Sequence, residues 1–212
     1  MKIGFIGTGK VGFTIADSLQ KQGHTIILGF RDKDSASLKE AVEKNPLFAS
    51  APMRDMVGMA DLIVLATPFQ ANQGILQGLA FGGKTLVDCT NPVGPGITHG
   101  LKSERSGAEA VQDWAPDAKV VKAFNIYGFE NLGGGEFPGY NVKPLMLIAG
   151  DHQEAKEQVA VLLGQMGFFV KDTGGLHQAL HLEHMTLLWV KMVRASGHHP
   201  NFVWAYLERN RE

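Results

Sequence analysis

Lys2-Ile-Gly-Phe-Ile-Gly-Thr-Gly-Lys-Val-Gly12 lies at the start of the chain and decides its fold. A short apolar strand over Lys2–Ile6 runs into Gly7-x-Gly9-x-x-Gly12, and a helical pattern follows at once. Gly7 permits a tight turn, Gly9 lets backbone approach a diphosphate with no Cβ in the way, and Gly12 lets the new helix pack closely on the strand. The free N–H groups and the positive end of that helix then face the phosphates. Gly-x-Gly-x-x-Gly alone is a common turn. Between a strand and a helix it predicts a dinucleotide site.

The second strand, Thr25-Ile-Ile-Leu28, closes with Gly29 and is followed by Phe30, Arg31, Asp32 and Lys33. An NAD-selective unit carries an acidic residue here, bonded to the ribose 2′-hydroxyl. A guanidinium at Arg31 instead suits a 2′-phosphate, which it can hold through paired hydrogen bonds. Phe30 or Arg31 is also placed to cover a face of the adenine. Two plainer readings remain open at this point: a solvated Arg-Asp-Lys turn ahead of a helix starting near Ser35, and Asp32 as a displaced ribose ligand. The balance favours NADP over NAD.

Working outward, apolar runs of strand length alternate with helical patterns, as in a parallel sheet covered on both faces. Further strands are expected at Leu47–Ser50, Leu62–Ala66, Lys84–Asp88 and Lys119–Ala123, with two more at Met146–Ala149 and Phe168–Lys171. The expected fold is therefore α/β: a Rossmann-type, doubly wound, mainly parallel sheet extended by extra strands, with a small C-terminal helical cap. Residues 1–130 would form the nucleotide-binding part, and residues 131–212 an extension packed on it as one compact unit. Ala155, Val159, Leu162, Leu163 and Met166 recur at helical spacing behind an Asp151 cap. The tail from Leu176 to about Ala195 is expected as a longer helix. His199-Pro200 then breaks it before a short terminal helix. Gly133-Gly134-Gly135 with Pro138 and Gly139 marks a surface loop suited to a substrate-side lid.

Composition bounds the rest. The 212 residues carry 44% hydrophobic side chains and a net charge of −1, with lysines and arginines dispersed, which argues against a nucleic-acid surface. Cys89 is the only cysteine, so no internal disulfide forms and a reducing compartment is expected. No apolar run approaches the ~20 residues needed to span a bilayer, and the N-terminal apolar stretch is strand rather than signal peptide. A cytoplasmic protein with no membrane partner is expected.

Ligands of open α/β sheets bind beyond the carboxyl ends of the strands. The residues there are Thr67-Pro68-Phe69, Asn91-Pro92-Val93 and Phe124-Asn125. Thr67, Asn91 and Asn125 offer hydrogen bonds to a carboxamide or ribose, although such residues also merely stabilise turns. No Lys, His or Tyr stands out as an acid or base for an alcohol proton, so no catalytic residue is assigned. Hydride exchange between two cofactors needs mainly ring alignment and exclusion of water, which suits that absence. His177, His181 and His184 fall at i, i+4 and i+7, where one helical face would present three imidazoles. Leu180, Leu187, Leu188 and Trp189 make the same segment a core-packing helix, so no metal is assigned. A substrate-facing role for His177 or His181 is preferred, because Gly174-Gly175 would start the helix near the strand ends.

Taken together, Ile6–Gly12, Leu28-Gly-Phe-Arg31, Thr90-Asn91-Pro92, Lys122-Ala-Phe-Asn125, Ala149-Gly150-Asp151, Asp172–Leu176 and Leu182-Glu183 ahead of Leu187-Leu188-Trp189 resemble the NADP-dependent oxidoreductases related to 8-hydroxy-5-deazaflavin (coenzyme F-420):NADP reductase. The chain is also similar to the cytosolic domain of six-transmembrane metalloreductases. The resemblance spans nearly the whole length. It implies an NADP(H)-binding Rossmann domain with a small cap, usually a homodimer. The hydride acceptor it implies is a deazaflavin or a flavin such as FMN or FAD. By matching positions, Thr8, Gly9, Lys10 and Val11 would hold the diphosphate, Arg31 the 2′-phosphate, and Ala66, Thr67, Pro68, Phe69, Asn91 and Pro92 the ribose and nicotinamide side. Phe30 departs from the family's small hydroxyl residue, and the three histidines depart from its polar or aromatic ones. A dehydrogenase or imine reductase of the β-hydroxyacid type and a non-enzymatic NADP(H) sensor are the alternatives. The former normally adds a large helical domain, and the residues after Leu176 are few for one.

Overall fold

A computed structural model of the chain describes residues 1–135, 137 and 139–209. Its strands are β1 (Lys2–Ile6), β2 (Thr25–Phe30), β3 (Ala49–Pro52), β4 (Leu62–Leu65), β5 (Thr85–Asp88), the two-residue β6 (Val93–Gly94) and β7 (Thr98–His99), β8 (Lys119–Lys122), β9 (Leu145–Gly150) and β10 (Phe169–Asp172). The helices are α1 (Lys10–Lys21), α2 (Ala36–Lys44), α3 (Met53–Met59), α4 (Asn72–Leu76), α5 (Gly107–Trp114), α6 (Gln153–Gln165) and α7 (Ala179–Arg194). Eight strands form one sheet in the order β10-β9-β8-β5-β4-β1-β2-β3, and β6 and β7 form a separate antiparallel hairpin. Strand order reverses between β1 and β4, so the doubly wound sheet places a crevice beside the glycine loop.

The sequence explains the layers. β4 and β5 are buried at every position, as strands covered on both faces require. Gly12, Ile15, Ala16 and Leu19 give α1 a buried stripe at helical spacing. The sheet continues without a break across residues 130 and 131, because β9 pairs with β8. That pairing is antiparallel, whereas β10 runs parallel to β9.

This reversal moves several expected features. β9 ends level with Val121 in the middle of β8, so the chain after β10 does not emerge at the nucleotide edge. His177 lies on a short 3₁₀ turn, Leu176–Gln178, below that edge, and α7 then climbs back to it. The buried face of α7 is Ala179, Leu182, Glu183, Thr186 and Trp189; Leu188, expected in the core, is exposed. Asp151 does not cap α6. Its Oδ1 accepts the Leu176 N–H at 2.8 Å and so fixes the turn before α7. No terminal helix follows Pro200 among the described residues. Residues 201–209 run irregularly, and the Trp204 carbonyl instead accepts the Leu145 N–H at 2.8 Å. The third strand is β3, two residues later than expected. In the expected lid, Gly135 donates to the Met166 carbonyl at 2.8 Å; Pro138 lies outside the described residues.

Candidate active site

The glycine loop follows β1. Gly7 has φ +103°, and a Cβ there would sit 2.6 Å from the Ala66 carbonyl oxygen. A Cβ at Gly12 would collide with the Gly7 carbonyl oxygen, whereas one at Gly9 would meet nothing within 4 Å. Gly7 and Gly12 are thus required by the packing of β1, α1 and the end of β4. Gly9 faces open space. α1 has no side-chain cap and no acidic residue in its first turn, so its leading N–H groups are free to meet an anion. This open helix start fits a dinucleotide diphosphate held by Thr8, Gly9, Lys10 and Val11. Beside it a cleft of about 360 Å³ is bounded by Thr8, Gly9, Lys10, Ser37, Lys44 and Phe129. The Lys10 ammonium stands 5.0 Å above the Phe129 ring.

At the end of β2, Phe30 is half-buried and Arg31 exposed. The Arg31 guanidinium reaches across to donate to the Gly74 carbonyl in α4, joining the loops after β2 and β4. Asp32 accepts the Asp34 N–H at 2.9 Å, so its carboxylate is engaged in a local turn. Beyond β4, Ala66 and Thr67 are half-buried and Pro68 exposed. Thr67 donates to Asn72 Oδ1 at 2.6 Å, and Asn72 to Thr90 Oγ1 at 3.0 Å, which ties the β4 loop to the β5 loop.

Beyond β5 and β8 the side chains turn inward. Pro92, Phe124 and Asn125 are buried, and only Asn91 of this group is partly open. Asn125 Nδ2 donates to Asn91 Oδ1 and to Thr186 Oγ1, each at 3.1 Å, and Thr186 donates to the Asn125 carbonyl at 2.8 Å. Asn125 Oδ1 has no partner although it is buried. Phe124 holds φ +59°, a left-handed conformation that costs a non-glycine residue about 1–2 kcal/mol. Among the described residues, the other non-glycine ones in this region of backbone space are Ile97, Lys102 and Ser103, all in the segment after β5. Such strain gathers at functional sites.

Beneath these loops lies a buried ionic cluster that sequence reasoning missed. Lys122 ends β8 and its register partner Asp88 ends β5; their charged atoms meet at 2.9 Å. Lys122 also donates to Glu183 of α7 at 2.8 Å and to the Thr90 carbonyl. Glu183 in turn accepts from His99 Nε2 at 2.9 Å, from the Gly107 N–H at 2.9 Å and from the Ala108 N–H at 3.2 Å, so it fills the N-terminus of α5. Burial opposes the charge on Lys122, yet Asp88 and Glu183 outweigh it and hold the ammonium above the ordinary lysine value. Burial likewise acts to raise the Glu183 pKa, but Lys122 and the converging donors bring it below the usual carboxylate value. The signal was present in Thr85-Leu-Val-Asp88 and Lys119-Val-Val-Lys122, which place opposite charges at the same offset of two neighbouring strands. Because Lys122, Asp88 and Glu183 are sealed from the cleft, the cluster braces the site and does not exchange protons with a substrate. Cys89 is sealed too, and burial raises its thiol pKa well above the usual value.

The three tail histidines do not assemble. His177 contacts Gln178, His184 Nε2 lies 2.9 Å from Ser103 Oγ, and no group of three or more His, Cys, Asp or Glu is placed to hold a metal among the described residues. Nor is any described helix long and apolar enough to cross a membrane.

Comparison with known proteins agrees with this geometry. Residues 2–92, from β1 to the loop after β5, match the family model "NADP oxidoreductase coenzyme F420-dependent". The F420-dependent NADP reductase of Methanothermobacter marburgensis is 29% identical over 209 residues, 91% of this chain and 92% of that protein. The Rattus norvegicus metalloreductase STEAP3 is 29% identical over 188 residues, but this chain spans only 36% of its length. A solved structure from Arthrobacter sp. FB24, described provisionally as an F420-dependent NADP-reductase, superposes with a TM-score of 0.82 at 28% identity, covering 98% of this chain and 100% of that one. Over residues 2–92 the chain is thus similar to coenzyme F420-dependent NADP oxidoreductases, and over nearly its whole length to proteins named as F420-dependent NADP reductases.

Proposed function

We propose that the protein transfers hydride between NADPH and a deazaflavin or flavin-type acceptor. The observation that carries the cofactor half is the uncapped N-terminus of α1 beside an unobstructed Gly9. Bound NADPH supplies the hydride. Backbone N–H groups from Thr8 to Val11 hold the diphosphate, and Arg31 turns from the Gly74 carbonyl to the 2′-phosphate. Ala66, Thr67, Pro68 and Asn91 flank the nicotinamide end, with Pro92, Phe124 and Asn125 holding those loops from behind. A ring acceptor is supported by the names of the relatives. Such a transfer asks for alignment and exclusion of water rather than proton exchange. In the same reading the protein acts as a homodimer in the cytoplasm, where its lone thiol stays reduced.

The test is NADPH oxidation, followed by absorbance, against oxidised 8-hydroxy-5-deazaflavin, FMN, FAD, ferric chelates and simple carbonyls and imines. Turnover with deazaflavin or free flavins supports the proposal and tells the two apart. Turnover confined to carbonyls or imines overturns it in favour of a small-substrate dehydrogenase. Tight NADPH binding with no turnover would favour a sensor.

A further inference from the structure

The segment from Gly100 to Arg105 joins the β6–β7 hairpin to α5 on the acceptor side of the edge, and nothing said so far gives it a task. Lys102 and Ser103 are consecutive and both left-handed, with φ +54° and +59°. Neither is glycine, so the loop holds a conformation that local preference opposes. Its anchors converge on one imidazole. His99 Nδ1 accepts the Leu101 N–H at 3.3 Å and the Ser103 N–H at 3.2 Å. Because Nδ1 accepts, the ring proton is on Nε2, which donates to Glu183 Oε2. A second tie runs from Ser103 Oγ to His184. His99 itself is buried, and Gly100 N donates to the Pro92 carbonyl at 2.6 Å, so the base of the loop is fixed to the residue beside Asn91.

Glu183 completes the arrangement. Its partners are the Lys122 ammonium, the His99 Nε2–H and the two α5 amides, all donors. Only a carboxylate, with two accepting oxygens, satisfies them together; an amide turns two hydrogens towards one pair of donors. The strained loop is thereby linked through His99 and Glu183 to Lys122, at the base of the Phe124-Asn125 turn.

We propose that His99 and Glu183 are positioning residues for the acceptor: they hold the Gly100–Arg105 loop in its strained form as one wall of the acceptor's entrance, without touching NADPH. This assignment rests on the hydride-transfer reading for its kinetic consequence. Its structural core, a loop kept in place by His99, stands independently.

Two readouts test it on the full chain. Lys102 and Ser103 are exposed, and trypsin cleavage between them requires the loop to leave its left-handed form and extend in the protease cleft. In His99→Phe, which removes two acceptor contacts and one donor, cleavage at Lys102 is expected to rise about tenfold or more, in line with the loss of more than one hydrogen bond. NADPH affinity, from fluorescence titration, stays within about twofold, while the acceptor KM rises about tenfold with kcat nearly unchanged. His99→Gln, whose amide offers one donor and one acceptor, gives intermediate values, and it serves alone if the phenylalanine variant does not fold. Unchanged Lys102 cleavage in a folded variant overturns the proposal. So does an NADPH affinity that falls as far as the acceptor KM rises, because the role is then general support of the fold. A wild-type protein inert towards every acceptor refutes hydride transfer and the acceptor role. The cleavage and NADPH titrations then still decide whether His99 anchors the loop.

Discussion

Two helices begin at the same edge of the sheet and use their N-termini in opposite ways. α1 starts at an open glycine with no cap, and its amides are free for a ligand. α5 starts behind a Ser106–Glu109 capping box, and its remaining amides are filled by the Glu183 carboxylate. The same partial positive charge is offered to an incoming anion in one case and neutralised by the protein in the other. The nucleotide half of the edge is thus made of backbone and empty space, whereas the other half is made of buried charge and strained loops. Substitutions in the first half should act on affinity, and those in the second on stability and loop order.

The largest effect is expected at Lys122→Ala, which leaves Asp88 and Glu183 buried without their cation and should cost about 3–5 kcal/mol in urea unfolding. A cost below about 1 kcal/mol would mean the cluster is not the brace described here. Gly12→Ala should cost about 1–3 kcal/mol, because its Cβ would overlap the Gly7 carbonyl oxygen, and it should abolish NADPH binding as the loop shifts. Gly9→Ala makes the sharper contrast: with no atom near its Cβ, the unfolding midpoint stays unchanged while NADPH affinity falls. Arg31→Ala should weaken NADPH by about 1–3 kcal/mol and leave NADH nearly untouched. Equal losses for both would remove the 2′-phosphate assignment.

The smallest effect is in the pH dependence of stability. The Glu183 pKa is lowered on folding, so its contribution is complete above the ordinary carboxylate value of 4.5 and is lost only as pH falls through the lower folded value. The Lys122 pKa is raised, so its contribution is complete below 10.5 and is lost as pH rises through a still higher value. Glu183→Gln should therefore unfold with a shallower acid limb than the wild type when urea midpoints are compared across acidic pH. An identical limb would assign the acid sensitivity to other carboxylates.

The same division governed what could be read from the sequence. The glycine loop, β1, β2, β4 and β5 were legible because local rules decide them: turn conformation, apolar runs and strand length. The acceptor side was not, because its features depend on register and on contacts distant in the chain. Asp88 and Lys122 each look like the solvated end of a strand until the two strands are set side by side. Glu183 stands among leucines in the sequence, and only the helical phase shared with Ala179, Leu182, Thr186 and Trp189 puts it on the buried stripe. The placement of His177 failed for a related reason: strand direction is not written in an apolar run, and β9 runs against β8. The strain at Lys102 and Ser103 leaves no mark in residue type at all.

The Lys122–Glu183 contact joins residues 61 positions apart, and α7 is the last helix among the described residues. On the ribosome, the nucleotide loop and the first five strands emerge long before the carboxylate that closes the other half. Until α7 docks, Lys122 has Asp88 and the Thr90 carbonyl but not Glu183, and the Gly107 and Ala108 amides of α5 have no acceptor. The order of synthesis therefore completes the glycine-loop half of the sheet before the buried charges of the other half are balanced, and α7 is the element that balances them.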